Sequence, residues 1–162
     1  MAAAAVPLPP PSKDMVKVPK GWIFSGWTIV ETGELRGIAG LAILTRVPIT
    51  IKATFVRDYI VRYDVDSEFG YGIPNSNIEQ YKKITPPNPT AKDGYKFVGF
   101  RLATKVDELG RPTEIAKDNF DFSRVADADL VNFSTGTHDV IIFVAVFEDV
   151  DGNEVWQKEV TP

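Results

Sequence analysis

The most regular alternation in the chain lies between Pro48 and Val56. Ile49, Ile51, Ala53 and Phe55 fall on one side, and Thr50, Lys52 and Thr54 fall on the other. Period two with β-branched residues predicts a half-buried strand. Tyr59 to Val65 predicts a second strand, with Arg57-Asp58 as the break between the two. Asp139 to Phe147 is the most apolar stretch. Val140, Ile142, Val144 and Val146 occupy one face, and Ile141, Phe143, Ala145 and Phe147 occupy the other. A strand apolar on both faces belongs in the middle of a covered sheet. Trp22 to Ile29 predicts a further strand, with Trp22, Phe24 and Gly26 on one face and Ile23, Ser25 and Trp27 on the other. Tyr95 to Thr104 predicts another. Glu154 to Val160 alternates as well, with Val155 opposed to Trp156, after a strong turn signal at Asp151-Gly152-Asn153. Asp107 to Pro112 has the composition of a hairpin connection. Gly37 to Leu44 is either a buried strand or a short helix, and Ile78 to Ile84 is either a short strand or a helical turn. With no long helix in the pattern, the expected fold class is mainly β.

Two of these stretches resemble each other. In Pro19-Lys-Gly-Trp-Ile-Phe-Ser-Gly-Trp27, the residues Gly21, Trp22, Phe24, Gly26 and Trp27 align with Gly94, Tyr95, Phe97, Gly99 and Phe100 of Lys92-Asp-Gly-Tyr-Lys-Phe-Val-Gly-Phe100. This defines an internal repeat and the core motif of two modules. The expected organisation is an extended Ala/Pro-rich arm over residues 1–20, a first β-module over 21–58, and a second over 59–148. The second carries an insertion near 105–135, which holds Phe120-Asp-Phe122 and Ala126-Asp-Ala-Asp-Leu130. It measures about 19 residues from the Gly94-to-Ala145 against the Gly21-to-Ala53 spacing.

The arm is extended because Pro7, Pro9, Pro10 and Pro11 fix φ and remove backbone donors. Such an arm has no core of its own and becomes ordered only where something holds it. Val6, Pro7, Leu8, Pro9, Pro10 and Pro11 are therefore the candidate partner-binding residues, docking on a neighbouring protein subunit; a homo-oligomer is one arrangement this allows.

Among 162 residues, 44% are hydrophobic and 25% charged, with a net charge of −4, which is enough apolar content to build a core. The mild acidity argues against a nucleic-acid partner, which needs a basic stripe. Cysteine is absent, so disulfides and thiolate metal sites are excluded. Ile38 to Leu44 is far too short to span a bilayer, so no membrane association is expected. The N-terminus lacks the basic start and apolar middle of a secretory signal. His138 is the only histidine, so neither a Ser-His-Asp set nor a histidine metal cluster can be built; it is expected at the surface of a turn. Asp149-x-Asp151-x-Asn153 opens like a calcium loop, but Glu154 stands where Gly is required and Val160 where Glu is required, so a hairpin turn is expected. Asp64, Asp66 and Glu68 predict a solvated strand face. Asn132-Phe-Ser134 fits a glycosylation sequon. No catalytic, metal or cofactor site is expected.

Pro89-Thr-Ala-Lys-Asp-Gly-Tyr-Lys-Phe-Val-Gly-Phe100 resembles the Listeria–Bacteroides repeat, the internalin B-repeat family. Its pattern is a proline, a spacer, Gly-Tyr-x-Phe-x-Gly-Trp, and a closing strand with Ala two residues before an aromatic. Ala145 and Phe147 supply that closing pair in the second copy, and Ala53 and Phe55 in the first. Phe100 departs from the family's Trp. The resemblance implies two small β-grasp-like modules, Tyr59 to Val65 as opening strand of the second, and a spacer or binding role without catalysis. Against that pattern the first copy has no obvious opening strand, and residues 149–162 are a candidate to complete it, or to pair with another chain. Aromatic rings filling a thin core account for the motif better than carbohydrate stacking on Trp22 or Trp27. The expected function is that of a structural or decoration protein of a bacteriophage virion; the alternative is a spacer fragment of a secreted bacterial surface adhesin.

Overall fold

The structure is a computed structural model that describes residues 6–7, 16–30, 33, 35–36, 44–45 and 50–158. Leu8 to Pro11 of the arm and residues 159–162 lie outside the described residues, as does most of Gly37 to Leu44. The fold is mainly β. In chain order the strands are β1 (Val6–Pro7), β2 (Trp22–Ile29), β3 (Leu35–Arg36), β4 (Leu44–Thr45), β5 (Ile51–Asp64), β6 (Ser76–Glu79), β7 (Lys96–Val106), β8 (Pro112–Ile115), β9 (Phe133–Ser134), β10 (Asp139–Glu148) and β11 (Glu154–Val155). A single 3-10 turn, Ala128–Leu130, is the only helical element among the described residues.

The chain divides into two compact units, Met1–Arg57 and Asp58–Pro162. The boundary falls inside β5, where a break between two strands was expected at Arg57-Asp58. The strand does not break because the period-two pattern runs through Arg57 without a change of phase. The charge there is accommodated by the Trp22 ring, whose centroid lies 3.9 Å from the Arg57 guanidinium carbon. That contact also occupies a face of Trp22.

In the first unit, β2 pairs antiparallel with β3 and with the first half of β5. Phe24, Trp27 and Ile29 are buried, and Val16, Ile51, Ala53 and Phe55 pack against them. In the arm, Val6–Pro7 is extended and forms a two-residue antiparallel ladder with Leu44–Thr45 of the same chain.

In the second unit, β10 is the central strand. It runs parallel to the second half of β5, with Val140 opposite Ile60 and Val144 opposite Asp64, and antiparallel to β7. β6 extends the sheet from β5 and β8 from β7. Both faces of β10 are buried, as its pattern requires. Ile141, Phe143, Ala145 and Phe147 join Tyr59, Val61, Tyr63, Phe69 and Phe100 in the larger core. Val140, Ile142 and Val144 join Ala103 in the smaller one. The insertion closes the larger core: Ala126 and Leu130 are fully buried, and Phe120 and Phe122 pack with their rings on Phe143 and Phe100.

The repeat has matching geometry in the two units. Each motif begins with a turn that bonds Trp22 N to Pro19 O (3.2 Å) or Tyr95 N to Lys92 O (3.0 Å), with the glycine third in the turn at φ 85° or 88°. Trp27 then faces Ala53 and Phe24 faces Phe55, while Phe100 faces Ala145 and Phe97 faces Phe147. In both ladders one residue, Ser25 or Val98, is skipped as a β-bulge just before the second glycine. Strict alternation puts Phe24 and Trp27 on opposite faces. The bulge reverses the phase, so they pack edge to face at 5.3 Å, and Phe97 and Phe100 do the same at 5.0 Å. Gly26 and Gly99 allow this turn of the backbone with φ at 141° and 154°. At Gly99 the missing Cβ also leaves room for Asn119, whose Nδ2 donates to the bulge carbonyl Val98 O at 2.9 Å.

The tail does not complete the first module. Glu154–Val155 pairs antiparallel with Phe147 and Glu148 of β10, inside the second unit. β5 ends at Asp64, opposite Val144, so the edge of β10 beyond that point has unpaired backbone groups. The turn over Asp149 to Asn153 brings the tail straight onto it at small loop-closure cost. Asp149 Oδ1 accepts from Asp151 N and Asn153 N, both at 2.9 Å, so this segment is the expected hairpin turn.

Candidate functional site

The smaller core leaves part of its sheet face open. There, in the second unit, lies a cleft of about 710 Å³, within the range of about 300–1,000 Å³ typical of small-ligand sites. Four pieces of chain build it. β5 and its extension supply residues 62–66, a loop supplies Gly72, Ile73 and Asn75, the β7–β8 hairpin supplies Asp107 and residues 111–113, and the tail supplies Trp156 and Gln157. Val144 of β10 also lines it. A second hollow of about 360 Å³ lies against the tail and shares Trp156 and Gln157 with the first.

Both guanidinium groups of the cleft are closed on carboxylates. Arg62 Nε and Nη2 donate to the two oxygens of Asp64 at 2.7 and 2.9 Å, and Nη2 also donates to the carbonyl of Gly110. Arg111 Nε donates to Asp107 Oδ2 at 2.8 Å. Asp107 Oδ1 accepts from Arg111 N at 2.8 Å and from Leu109 N at 2.9 Å, which shapes the hairpin. Asp66 Oδ2 accepts from Lys158 N at 2.7 Å and thereby fastens the tail beside the cleft. Burial pushes the Tyr63 hydroxyl above the usual phenol range, opposed by its hydrogen bond with Ser76.

The uncharged groups are placed differently. Trp156 packs one side against the smaller core, while Val155 packs toward the larger one, so the expected opposition of these two residues holds. The side chains of Asn75, Gln157 and Trp156 make no hydrogen bond to any described residue, although all three line the cleft.

The Asp107 carboxyl is held below the usual aspartate range. The Arg111 backbone N–H is the largest cause, followed by the Arg111 guanidinium and the Leu109 N–H. A group depressed in the folded state adds stability above its unfolded pKa and loses it as pH falls through the folded value. Here that window lies below about pH 3.9. Carbon-detected NMR titration should give Asp107 a midpoint below ~3.9, and Arg111→Gln should raise it only in part, because the backbone donor remains. A midpoint at or above ~3.9 in the parent protein would contradict this arrangement.

The motif residues singled out by the sequence are not in the cleft. Phe97 and Phe100 pack in the larger core on the other face of the sheet, and Tyr95 lines only the smaller hollow. In the first unit Trp27 is buried with Phe24. His138 stands in its turn but is half-buried, with Nε2 3.7 Å from Asp58 Oδ2. Asp64, Asp66 and Glu68 do not gather: Asp64 is tied to Arg62, and no group of three metal-ligating side chains exists among the described residues. Asn132 is not placed to carry a glycan, because its side chain bonds the backbone of Ala103 and Ile142. Sequence reasoning missed the cleft residues Arg62, Asn75 and Gln157. The sequence marks Asp64 and Asp66, as a solvated strand face, and Trp156, opposed to Val155 in the alternation, without bringing the three together.

No family model, curated protein or solved structure matches this chain. Among the described residues no helix is long and apolar enough to cross a membrane.

Proposed function

We propose that this chain is a non-enzymatic structural or decoration protein of a larger assembly, a bacteriophage virion accessory protein built from two B-repeat-like β-modules. The observation that carries the non-catalytic reading is the pairing inside the cleft. Asp64 is held by Arg62, and Asp107 by Arg111 and two N–H groups. The Asp107 carboxyl, held below the usual aspartate range, is a poor proton donor, and Asp64 has both oxygens engaged by one guanidinium, whereas hydrolytic chemistry with two carboxylates needs one of them free to give up a proton. The repeat supports a modular scaffold: two copies of one Gly-aromatic bulge each carry an aromatic pair. The docking role of the arm rests on its proline-stiffened sequence, Pro7 and Pro9 to Pro11, because the ladder that Val6–Pro7 forms is with Leu44–Thr45 of the same chain.

The test is co-sedimentation with the virion of the phage that encodes the chain. The full chain should travel with the particles through a density gradient, and a chain lacking residues 1–20 should stay at the top. A full chain that never co-sediments sinks the virion reading. Equal sedimentation of both chains sinks the docking role of the arm.

A further inference from the structure

We propose that the cleft beside Trp156 binds a short neutral oligosaccharide. This is independent of how the chain docks in an assembly. The cleft presents one indole and two side-chain amides; its two guanidinium groups are spent on Asp64 and Asp107, and Asp66 accepts from backbone N–H groups. Trp156 is anchored by the smaller core on one side, and its indole N–H has no acceptor among the described residues. An aromatic ring with a wet polar edge suits a sugar ring, whose C–H face is apolar and whose rim is polar. Asn75 and Gln157 each offer both a donor and an acceptor, and so does every sugar hydroxyl. The fixed Arg62–Asp64 and Arg111–Asp107 pairs present further donors and acceptors at no cost in reorganisation.

Charge selects against the alternatives. Two guanidinium groups face three carboxylates, those of Asp64, Asp66 and Asp107, so the cleft has no net positive charge with which to attract an anion. A bound peptide strand adds to a sheet edge through its backbone. This cleft lies over a sheet face and offers side-chain groups. Because the two hollows share Trp156 and Gln157, a chain of more than one ring can run across the indole.

The experiment follows the three tryptophan indole N–H signals of the full chain by NMR. Maltohexaose, cellohexaose, laminarihexaose and chitohexaose are titrated separately, beside an anionic sugar, sialyllactose, and a neutral unstructured peptide. At least one neutral hexasaccharide should move the Trp156 signal saturably and leave those of Trp22 and Trp27 in place. Trp156→Ala should weaken binding by about tenfold or more. The Asn75→Ala, Gln157→Ala double variant should also weaken it, with the rest of the amide spectrum unchanged, which guards against a folding defect in the first variant. No response to any neutral sugar at millimolar concentration, or tighter binding of sialyllactose or of the peptide, overturns the proposal.

Discussion

Phe143→Ala is expected to lower the unfolding free energy of the second unit by about 3–5 kcal/mol, the cost of deleting a fully buried phenylalanine. Phe143 is completely buried at the middle of β10, where its backbone lies opposite Tyr63 on one side and Leu102 on the other. Its ring is surrounded by others, with centroids at 4.8 Å for Phe120, 5.2 Å for Phe122 and 6.1 Å for Tyr63. Truncation removes the transfer energy of the ring and leaves a void that strands on both sides of β10 cannot collapse to fill. Phe120 and Phe122 would also lose the surface on which the insertion is seated. Phe143→Leu should recover a large part of the loss, because it refills most of the volume. Urea unfolding, followed by tyrosine and tryptophan fluorescence, measures both variants. A loss under about 1 kcal/mol for the alanine variant would mean that the insertion does not seal this core.

Asn132→Ala should cost on the order of 3 kcal/mol, because it removes three hydrogen bonds to buried backbone groups just past the end of the β7–β10 ladder. β7 and β10 are paired from Phe143 opposite Leu102 onward. One rung further, Asn132 stands in for the missing bonds. Its Nδ2 donates to Ala103 O at 2.9 Å and to Ile142 O at 3.2 Å, and its Oδ1 accepts from Ile142 N at 3.0 Å. Ala103 and Ile142 are both buried, so water cannot readily replace the amide. Asn132→Asp is the informative companion. It keeps the acceptor for Ile142 N but faces two carbonyl oxygens with a charge. The folded-state pKa of the new carboxyl would be raised, so its stability should be better at acid pH and decline as pH rises through that value. Thermal unfolding at several pH values tests this. An aspartate variant whose stability does not fall between acid and neutral pH would show that the amide donors carry no weight.

Much of the architecture was legible along the chain. The alternation over Asp139 to Phe147 identified a strand buried on both faces, and β10 is that strand. The resemblance to the B-repeat pattern implied closing strands carrying Ala53 and Phe55, and Ala145 and Phe147, and those residues lie opposite the two copies of the motif. These features are legible because side-chain period and turn chemistry are local, fixed by neighbours two to five residues away.

Other features were decided only by the folded chain. A bulge is a mismatch between two strands, so alternation along Trp22 to Ile29 could not show that Phe24 and Trp27 share a face. The tail found its partner on β10 because β5 stops at Asp64, a fact about a different segment. Asn132 fits a sequon until the splay of β7 from β10 turns it inward. The cleft is the extreme case, since Arg62, Asn75, Arg111 and Trp156 lie far apart in sequence and meet only through the register of the central ladder. Residue pattern therefore determined the elements and their faces. The pairing of distant strands, which no short-range period encodes, decided which side chains would share a site.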